Sequence, residues 1–335
     1  MGVWRAVGAL VLNRWAVAAG CALLTFKIWY KSTVGVCTSK RRLNGRTVLI
    51  TGANTGIGLE TAKDLARRGA RVLLACRDTQ RGLQALEEVL SEAGDGATVA
   101  LLALDLASLE SVRACAKHVL ATEPRLDILV NNAGAGGLGS GLSRDGLHLG
   151  LQVNHFGPFL FTLLLVELLK KSAPSRIIFV SSKAHVRAQT LSVEDLDHAR
   201  AKEMSDFAIY PMTKLCNVLI SNELARRLRG SGVTVNSLHP GVVLTDFFRF
   251  LPAWFFAIFG SIARLFFKNA VEGAQTTIYA AVAEELEDVT GRYFVDCKEA
   301  RAARQARDEA LARAVWARSE QLVRLRPDER PTFHA

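Results

Sequence analysis

The chain has 335 residues, which is enough for one large α/β domain or two smaller domains with an ample core. Half of the residues are apolar and glycine outnumbers proline 26 to 8, a composition that suits a buried parallel sheet or a membrane-associated protein and argues against disorder. The net charge of +10 comes mainly from basic residues before Glu60 and after Lys298, without the basic, aromatic-interleaved strands or zinc-finger spacing of nucleic-acid binders. We therefore expect no nucleic-acid partner.

The cysteines are scattered, with no C-x-x-C pair and no histidine at metal-ligand spacing. This distribution predicts small core residues in a reducing compartment and no metal site. The six positions are Cys21, Cys37, Cys76, Cys115, Cys216 and Cys297.

Residues 1–44 are predicted to form a membrane anchor and a basic linker. The stretch 15–30 is apolar except for Lys27, but it is shorter than the ~20 residues that span a bilayer comfortably. Counted from Val7 the segment is long enough, although it then contains Asn13 and Arg14. A signal-anchor helix, an interfacial helix and a mitochondrial presequence all remain open. Basic residues are more numerous after the segment than before it, so the downstream side is expected to face the cytosol.

A glycine-rich turn follows the first predicted strand. Val48, Leu49 and Ile50 form a short apolar run, and the chain continues as TGANTGIG to Gly58 before a helical stretch over 59–68. Strand, glycine turn and helix together present free backbone N–H groups at a helix start, where a pyrophosphate binds. The sequence therefore predicts a dinucleotide site at this turn.

The end of the second predicted strand indicates which dinucleotide binds. This strand, 71–75, is followed by Cys76, Arg77 and Asp78. A carboxylate at the strand end selects the ribose 2′-hydroxyl of NAD, whereas an arginine accommodates the 2′-phosphate of NADP. Arg77 occupies this region and Asp78 lies one step beyond, so NADP is favoured; a solvated surface arginine is the alternative.

Strands and helices alternate from here to the end of the sixth predicted strand. Further strands are predicted over 98–102, 126–130, 176–180 and 233–238, with helices over 80–92 and from Leu109. This alternation predicts an α/β fold, a single doubly wound parallel-sheet Rossmann domain. Asp105 follows the third strand, where it suits either the adenine amino group or the N-cap of the helix from Leu109.

Tyr210 and Lys214 lie four residues apart, on the same side of one predicted helical turn. A free phenol titrates near pH ~10, so it is a poor acid–base catalyst at neutral pH. A neighbouring ammonium favours the phenolate, and we expect it to lower the pKa of the tyrosine. A solvated pair on a helix face is the alternative interpretation of this spacing alone.

The motifs taken together resemble those of the short-chain dehydrogenase/reductase family over residues 45–296. They are TGxxxGxG from Thr51, Asn131-Asn-Ala-Gly, Ser182, Tyr210-x-x-x-Lys214 and Pro240-Gly241. The segments GANTGIG, ACRD from Ala75, SKAH from Ser182, HPGVV from His239 and GRYF from Gly291 further resemble the retinol dehydrogenase-like subgroup, which is mostly NADP(H)-preferring and membrane-anchored. Leu59, Phe179 and Pro211 depart from the pattern of that subgroup.

The resemblance implies a catalytic set of Asn154, Ser182, Tyr210 and Lys214. Tyr210 would exchange the proton with the substrate oxygen, Lys214 would lower its pKa and hold the nicotinamide ribose, and Ser182 would stabilise the developing alkoxide. Asn154 would fix a water that links Lys214 to solvent. Side chains alternate along a strand, so only one of Ser181 and Ser182 can face the site. His155 and His185 are not assigned to catalysis.

The resemblance also implies a set of cofactor-binding residues that spans the strand ends. Besides Tyr210 and Lys214, the set comprises Gly52, Asn54, Thr55, Gly56, Ile57, Gly58, Arg77, Asp105, Leu106, Asn131, Ala133, Gly134, Pro240, Gly241, Val243 and Thr245. The implied cofactor is NADP(H).

Half of all the phenylalanines lie between Thr245 and Lys268, within a predicted apolar substrate lid over 246–268. Such a lid suits a long lipophilic substrate or one delivered from a bilayer, and a core helix or a dimer interface is the alternative. The lid belongs to the domain 45–297. The basic tail 298–335 carries Leu311, Val315, Ser319 and Leu322 at helical spacing, which predicts a helix docked on the domain surface.

These observations predict an NADP(H)-dependent oxidoreductase that interconverts a lipophilic alcohol and its aldehyde or ketone, with a retinoid as the leading substrate. The alternatives are a steroid or lipid-aldehyde reductase and a non-catalytic NADP-binding membrane scaffold. The expected partners are a lipophilic small molecule and a lipid bilayer, with a homodimer as a candidate assembly. The expected location is the endoplasmic reticulum membrane with the catalytic domain facing the cytosol, and a mitochondrial membrane is the alternative.

Overall fold

The computed structural model describes residues 17–18, 20–22, 24–243 and 267–333. Thr245, most of the lid, and the first 16 residues of the anchor lie outside the described residues.

The described chain alternates strands and helices from Thr47 onwards. The strands are β1 Thr47–Thr51, β2 Arg71–Cys76, β3 Thr98–Ala103, β4 Ile128–Asn131, β5 Ser175–Val180, β6 Val233–His239, β7 Tyr293–Val295 and β8 Lys298–Glu299. The main helices are α1 Gly56–Arg67, α2 Thr79–Ala93, α3 Leu109–Thr122, α4 Gly157–Lys171, α5 Asp206–Arg227, α6 Ala270–Val282 and α7 Glu309–Leu322. Short turns of helix cover Leu149–Leu151, Gln152–Phe156, Lys183–Arg187, Val193–Leu196, His198–Ala201, Glu284–Leu286, Gln305–Arg307 and Pro327–Glu329.

The sheet confirms the predicted doubly wound parallel architecture. Its strand order is β3-β2-β1-β4-β5-β6-β7-β8, and every pairing is parallel except the last, between β7 and β8. In register, Ile50 of β1 lies between Leu74 of β2 and Val130 of β4. The strand order reverses between β1 and β4, and ligands bind at such a switch point, outside the carboxyl ends of the strands.

Helices cover both faces of the sheet, which is why its central strands are short apolar runs. All five residues of β1 are buried. On one face the core is built by α3, α4, α5 and α7, and on the other by α1, α2 and α6. Parallel strands covered on both sides lose the alternation of polar and apolar residues that marks a half-exposed sheet.

Most predicted element boundaries agree with the structure to within a few residues. The first helix begins at Gly56 and not at Leu59, so Gly56 and Gly58 lie in its first turn. The prediction of core cysteines is confirmed for Cys76, Cys115 and Cys216, whereas Cys21 is exposed.

Within the described part of the chain, one helical segment is long and apolar enough to cross a membrane, Leu149–Lys171. Most of it is buried inside the domain, with 83% of its most apolar window covered. A core helix of an α/β domain passes the same length and composition test. We therefore assign this segment to the core.

The basic linker packs against the domain. Lys31 forms an ion pair with Glu272 at the start of α6, and the backbone N–H of Cys37 donates to Gln275 Oε1 over 3.0 Å. Arg41 pairs with Glu287, over 3.4 Å. Part of the positive charge of the linker is therefore neutralised by the domain itself.

The C-terminal helix is part of the main core. The predicted helix is present as α7, but its buried face contains Ala312, Val315, Trp316 and Ser319, whereas Leu311 and Leu322 are half-buried. Trp316 is 1% exposed, packs edge-to-face on Phe159 of α4 and lies beneath the Arg227 guanidinium. The large indole sets the buried face because its area dominates the apolar contact.

Candidate active site

The four predicted catalytic residues converge at the carboxyl ends of β4 and β5. Ser182 follows β5 directly, Tyr210 and Lys214 lie on the first turns of α5, and Asn154 lies in the π-helical turn Gln152–Phe156. The Ser182 side chain forms a hydrogen bond with the Tyr210 phenol. Pro211 sits inside α5 without ending the helix, so the departure from the family pattern leaves the spacing of tyrosine and lysine intact.

The two serines at the end of β5 face different partners, as alternation along a strand predicts. Ser181 Oγ donates to the backbone carbonyl of Lys214 over 2.7 Å. Ser182 instead meets Tyr210, and its Oγ accepts from the Ala184 N–H over 3.1 Å. Ser181 therefore fixes helix α5 against the sheet, and Ser182 faces the site.

The expected lowering of the pKa of Tyr210 by Lys214 is wrong. Burial raises the pKa of Tyr210 to about 12, against which the Ser182 hydrogen bond acts in the opposite direction. The ammonium of Lys214 lies 5.6 Å from the centroid of the tyrosine ring and donates to the Val180 carbonyl over 3.0 Å. Desolvation therefore decides the direction of the shift, and Tyr210 is a protonated phenol at neutral pH.

Lys214 is buried at the bottom of the site, with 3% of its surface exposed. Burial lowers the pKa of Lys214 to about 8, because desolvation disfavours the ammonium. A methyl group on Gly134 would lie 2.9 Å from its Nζ. The Asn-Asn-Ala-Gly loop therefore passes directly over the lysine, and a side chain at position 134 would displace the ammonium.

Asn154 is held by a two-way hydrogen bond to one backbone residue. Its Oδ1 accepts from the Ala135 N–H and its Nδ2 donates to the Ala135 carbonyl, both over 2.8 Å. A π-helical turn widens the helix locally and is frequent at functional sites. Asn154 therefore joins α4 to the loop that passes over Lys214.

The histidines that were not assigned to catalysis have structural partners, as expected. His185 Nδ1 donates to the Ser182 carbonyl over 2.7 Å, and its Nε2 accepts from the Ala303 N–H over 3.0 Å. Burial lowers the pKa of His185. His155 Nε2 lies 2.8 Å from Ser319 Oγ, and burial lowers the pKa of His155 to about 3. Both rings are therefore neutral supports.

The glycine turn before α1 forms a tight cradle. Gly52 and Gly56 have positive φ angles of 64° and 57°. A Cβ on Gly58 would lie 2.4 Å from the Gly52 carbonyl oxygen and 2.5 Å from Asn132 Nδ2. The turn therefore folds back against the helix start and exposes backbone N–H groups there, which fits a pyrophosphate.

Two positioning residues of this cradle, Thr51 and Asn132, were missing from the predicted site. Thr51 Oγ1 accepts from the N–H groups of Asn132 and Ala133 over 3.1 and 3.0 Å. Asn132 Nδ2 donates to the carbonyls of Thr51 and Gly52 over 2.9 and 3.2 Å. The Asn-Asn doublet indicated the loop, but only the structure shows which asparagine reaches the glycine turn.

The end of β2 carries one exposed arginine and one carboxylate that caps the next helix. The Asp78 carboxylate accepts from the Arg81 N–H over 3.0 Å as the N-cap of α2, whereas Arg77 is exposed. The carboxylate is thereby turned into its own helix, and the guanidinium faces solvent at the strand end. Asp105 is not the N-cap of α3: Ser108 holds that position, and Asp105 Oδ1 accepts from the Ala107 N–H over 3.0 Å.

The remaining predicted cofactor residues that the structure describes lie along the same edge of the sheet; Thr245 lies outside the described residues. The Asn131 side chain donates to Thr162 Oγ1 on α4 over 2.8 Å, so only its backbone is available to the cleft. Val243 is buried and pairs with Lys268 in an isolated bridge. The others at this edge are Asn54, Thr55, Ile57, Leu106, Ala133, Gly134, Pro240 and Gly241. The cradle and the exposed Arg77 fit a dinucleotide.

The chain matches a family model described as short chain dehydrogenase over residues 46–193. It is 45% identical to dehydrogenase/reductase SDR family member 13 of Bos taurus over 294 residues, 88% of this chain and 77% of the relative. It is 46% identical to retinol dehydrogenase 14 of Mus musculus over 292 residues, 84% of this chain and 86% of the relative.

The fold matches that of a solved structure, the RhlG/NADP active-site complex of Pseudomonas aeruginosa. The TM-score is 0.59 at 28% identity, covering 76% of this chain and 95% of the other. The order of motifs, the converging Ser182, Tyr210 and Lys214, and these similarities lead to one conclusion. The chain belongs to the short-chain dehydrogenase/reductase family, in its retinol dehydrogenase-like subgroup, and is an oxidoreductase.

Proposed function

We propose that the protein is an NADP(H)-dependent enzyme that interconverts a lipophilic alcohol and its aldehyde or ketone, with a retinoid as the favoured substrate. The observation that carries the proposal is the hydrogen bond between Ser182 and a protonated Tyr210 beside the buried Lys214. A neutral phenol and a hydroxyl that share one point at the strand ends can both bind a single substrate oxygen.

Each residue of the candidate site has a separate role in the proposed reaction. The bound nicotinamide supplies or accepts the hydride. Tyr210 gives its phenolic proton to the carbonyl oxygen during reduction and takes it back during oxidation, and Ser182 hydrogen-bonds that oxygen as negative charge develops. The ammonium of Lys214 and the carboxamide of Asn154 keep the floor of the site polar and fixed.

Two features support NADP(H) as the cofactor. Arg77 is exposed at the end of β2, and the neighbouring carboxylate of Asp78 is committed to the cap of α2. A guanidinium binds a phosphate through charge-assisted, bidentate hydrogen bonds. One solved structure that shares this fold, the RhlG structure of Pseudomonas aeruginosa, is an NADP complex.

Apolar side chains near the site support a lipophilic substrate. Val186, Phe207 and Val242 are 57%, 81% and 45% exposed, and each follows or precedes a catalytic or cofactor residue by a few positions. The phenylalanine-rich lid, of which only residues 267 and 268 are among the described residues, follows Val243 closely in the sequence. A retinoid is favoured because the relatives include a protein named retinol dehydrogenase 14.

The proposal extends to location. Residues 1–31 would anchor the enzyme in the endoplasmic reticulum membrane with the domain in the cytosol, and a mitochondrial membrane is the alternative. The bilayer and a lipophilic small molecule are the proposed partners, with a homodimer as the candidate assembly. The described residues 24–32 continue the apolar segment as a helix whose large side chains Leu24, Phe26, Ile28 and Trp29 are exposed.

The test is turnover by the full chain in lipid vesicles with NADPH and NADH, against retinal, a steroid ketone and aldehydes of increasing length. We expect NADPH to be preferred and retinal or another long apolar aldehyde to give the highest kcat/KM. Turnover limited to short hydrophilic carbonyls, or a preference for NADH, would contradict the proposal.

A further inference from the structure

A buried lysine lies behind the loop that follows β6. Lys268 is 3% exposed, and its Nζ is bonded to the Asp296 carboxylate and lies 3.4 Å from the Pro240 carbonyl oxygen. The predicted catalytic set and the predicted cofactor set do not include either member of this pair. Burying an ammonium costs free energy unless hydrogen-bonded or charged partners compensate for the lost hydration. The position of this ammonium next to the loop therefore indicates that it supports the loop.

The lysine holds the loop by its backbone and by its stem. The N–H of Lys268 donates to the Val242 carbonyl over 2.9 Å, and the residue pairs with Val243 in a parallel bridge. Gly241 has a φ of 98°, and a Cβ there would lie 2.5 Å from Lys268 Cδ. The methylene stem therefore packs directly on the glycine, and Lys268 contacts the loop from Pro240 to Val243 at each of its four residues.

Asp296 connects Lys268 to the N-terminal linker. It adopts a left-handed conformation, with φ 50°, in the turn between β7 and β8, and its Oδ1 also accepts from the Gly35 N–H over 3.3 Å. Gly35 lies so close that a Cβ there would be 2.1 Å from the Asp296 carbonyl oxygen. Lys31, four residues earlier, pairs with Glu272 on α6. One carboxylate therefore joins the linker, the lysine and the loop.

We propose that Lys268 and Asp296 are positioning residues that hold the loop Pro240–Val243 in its cofactor-binding shape, and that the linker reinforces them through Gly35. The inference rests on the proposed function, which assigns Pro240, Gly241 and Val243 to NADP(H). Without the Lys268 ammonium, the Pro240 carbonyl loses a nearby positive charge and the loop becomes more mobile. We therefore expect the affinity for the cofactor to fall more than the affinity for the aldehyde.

The experiment uses the full chain in lipid vesicles and four variants, Lys268→Met, Asp296→Asn, Gly35→Ala and the control Lys63→Met. Lys268→Met removes the ammonium and keeps the stem, whereas Asp296→Asn removes the carboxylate charge and tolerates the left-handed backbone. The matched control is Lys63→Met, because Lys63 is also a buried lysine paired with glutamates, but its partners lie on α1 and α2 and not on the loop after β6. The readouts are the KM for NADPH, the KM for the aldehyde, and amide exchange over 241–243 and at residue 268.

Lys268→Met is expected to raise the KM for NADPH by about tenfold, the scale of one hydrogen bond to a charged group, and to change the aldehyde KM by less than about twofold. Its loop amides should exchange faster. Gly35→Ala should act in the same direction with a smaller effect, since the added methyl displaces the linker from Asp296. Lys63→Met should lose thermal stability and keep a normal KM for NADPH.

Unchanged NADPH KM and unchanged loop exchange in both Lys268→Met and Asp296→Asn would overturn the inference and leave the pair a structural ion pair only. If Lys268→Met fails to fold, Asp296→Asn decides alone. If the proposed function is wrong, the wild type and Lys63→Met will show no turnover. Amide exchange would still measure the effect of the variants on the loop.

Discussion

His155 Nε2 lies 2.8 Å from Ser319 Oγ, so the turn that carries Asn154 is bonded to the C-terminal helix. Ser319 Oγ donates to the Val315 carbonyl over 2.7 Å, and it therefore accepts the bond from the imidazole N–H. The ring is completely buried, and its Nδ1 has no partner among the described residues. Helix α7 therefore supports the turn that carries Asn154, and the basic tail is an integral part of the domain.

The burial of His155 predicts a dependence of stability on pH. Its folded pKa is about 3, below the unfolded value, so the unfolded chain binds the proton first as the pH falls. The contribution of neutral His155 to the free energy of unfolding is then fully present above pH ~6.5 and declines below it. Between pH 7.5 and 5.5 the free energy of unfolding should fall by about 1.4 kcal/mol because of this residue. The measurement is urea unfolding at both pH values for the wild type and for His155→Gln, which keeps a donor to Ser319. An equal decline in both proteins would show that His155 does not titrate on unfolding.

Tyr210→Phe tests the chemistry. Removal of the phenolic proton should lower kcat by about 10²-fold or more, the scale of lost acid catalysis, while NADPH binding persists. Single-turnover kinetics and NADPH fluorescence titration separate the two effects. Ser181→Ala is the control, because its hydroxyl bonds the Lys214 carbonyl and not the phenol. Turnover of Tyr210→Phe at the wild-type rate would remove the phenol from the mechanism.

The low pKa of Lys214 predicts the alkaline limit of carbonyl reduction. The ammonium is charged below pH ~8 and lost above it, because burial lowers its pKa to about 8. We therefore expect kcat/KM for reduction to fall as the pH rises through about 8. A pH profile with NADPH saturating measures this limit, and a flat profile up to pH 10 would contradict a role for the charge.

Arg77→Ala tests the cofactor preference. The loss of a charge-assisted hydrogen bond to the 2′-phosphate should weaken the binding of NADPH by about 1.5–3 kcal/mol and leave the binding of NADH nearly unchanged. Dissociation constants for both cofactors provide the comparison, and Arg81→Ala, four residues further along, serves as a nearby charge control. Equal losses for both cofactors would identify Arg77 as a surface residue only.

The anchor and the lid make separable contributions to membrane attachment. Removal of residues 1–31 should abolish resistance to carbonate extraction, while weaker attachment through the lid persists and is insensitive to salt, because ions do not screen apolar insertion. Charged residues at Phe255 and Phe256 in the truncated protein should then release it and raise the KM for long aldehydes most. Liposome flotation and kinetics on a chain-length series test this. A truncated protein that is already soluble, with the same chain-length preference after the double substitution, would assign the lid to core or dimer contacts.

Local patterns were sufficient for much of the site. The glycine turn, the pair Tyr210 and Lys214, and the serine after β5 each depend on residues a few positions apart, whose geometry is set by helix and strand periods. His155 and His185 were left out of the catalytic set because buried histidines commonly have structural partners; His185 bonds backbone groups, whereas His155 bonds the side chain of Ser319, far away in sequence. The sheet followed from the alternation of apolar runs with helical stretches, which buried parallel strands require.

The sequence by itself determined the family, the doubly wound sheet and the candidate catalytic groups, because these follow from local spacing and order. Tertiary structure decided which partner each polar group takes. It directs Asn132 to the glycine turn, Lys214 to the Val180 carbonyl, and Lys268 to Asp296. It also raises the pKa of Tyr210, where spacing alone predicted a fall. Desolvation and contacts between residues distant in sequence depend on packing in three dimensions, which periodicity along the chain does not specify.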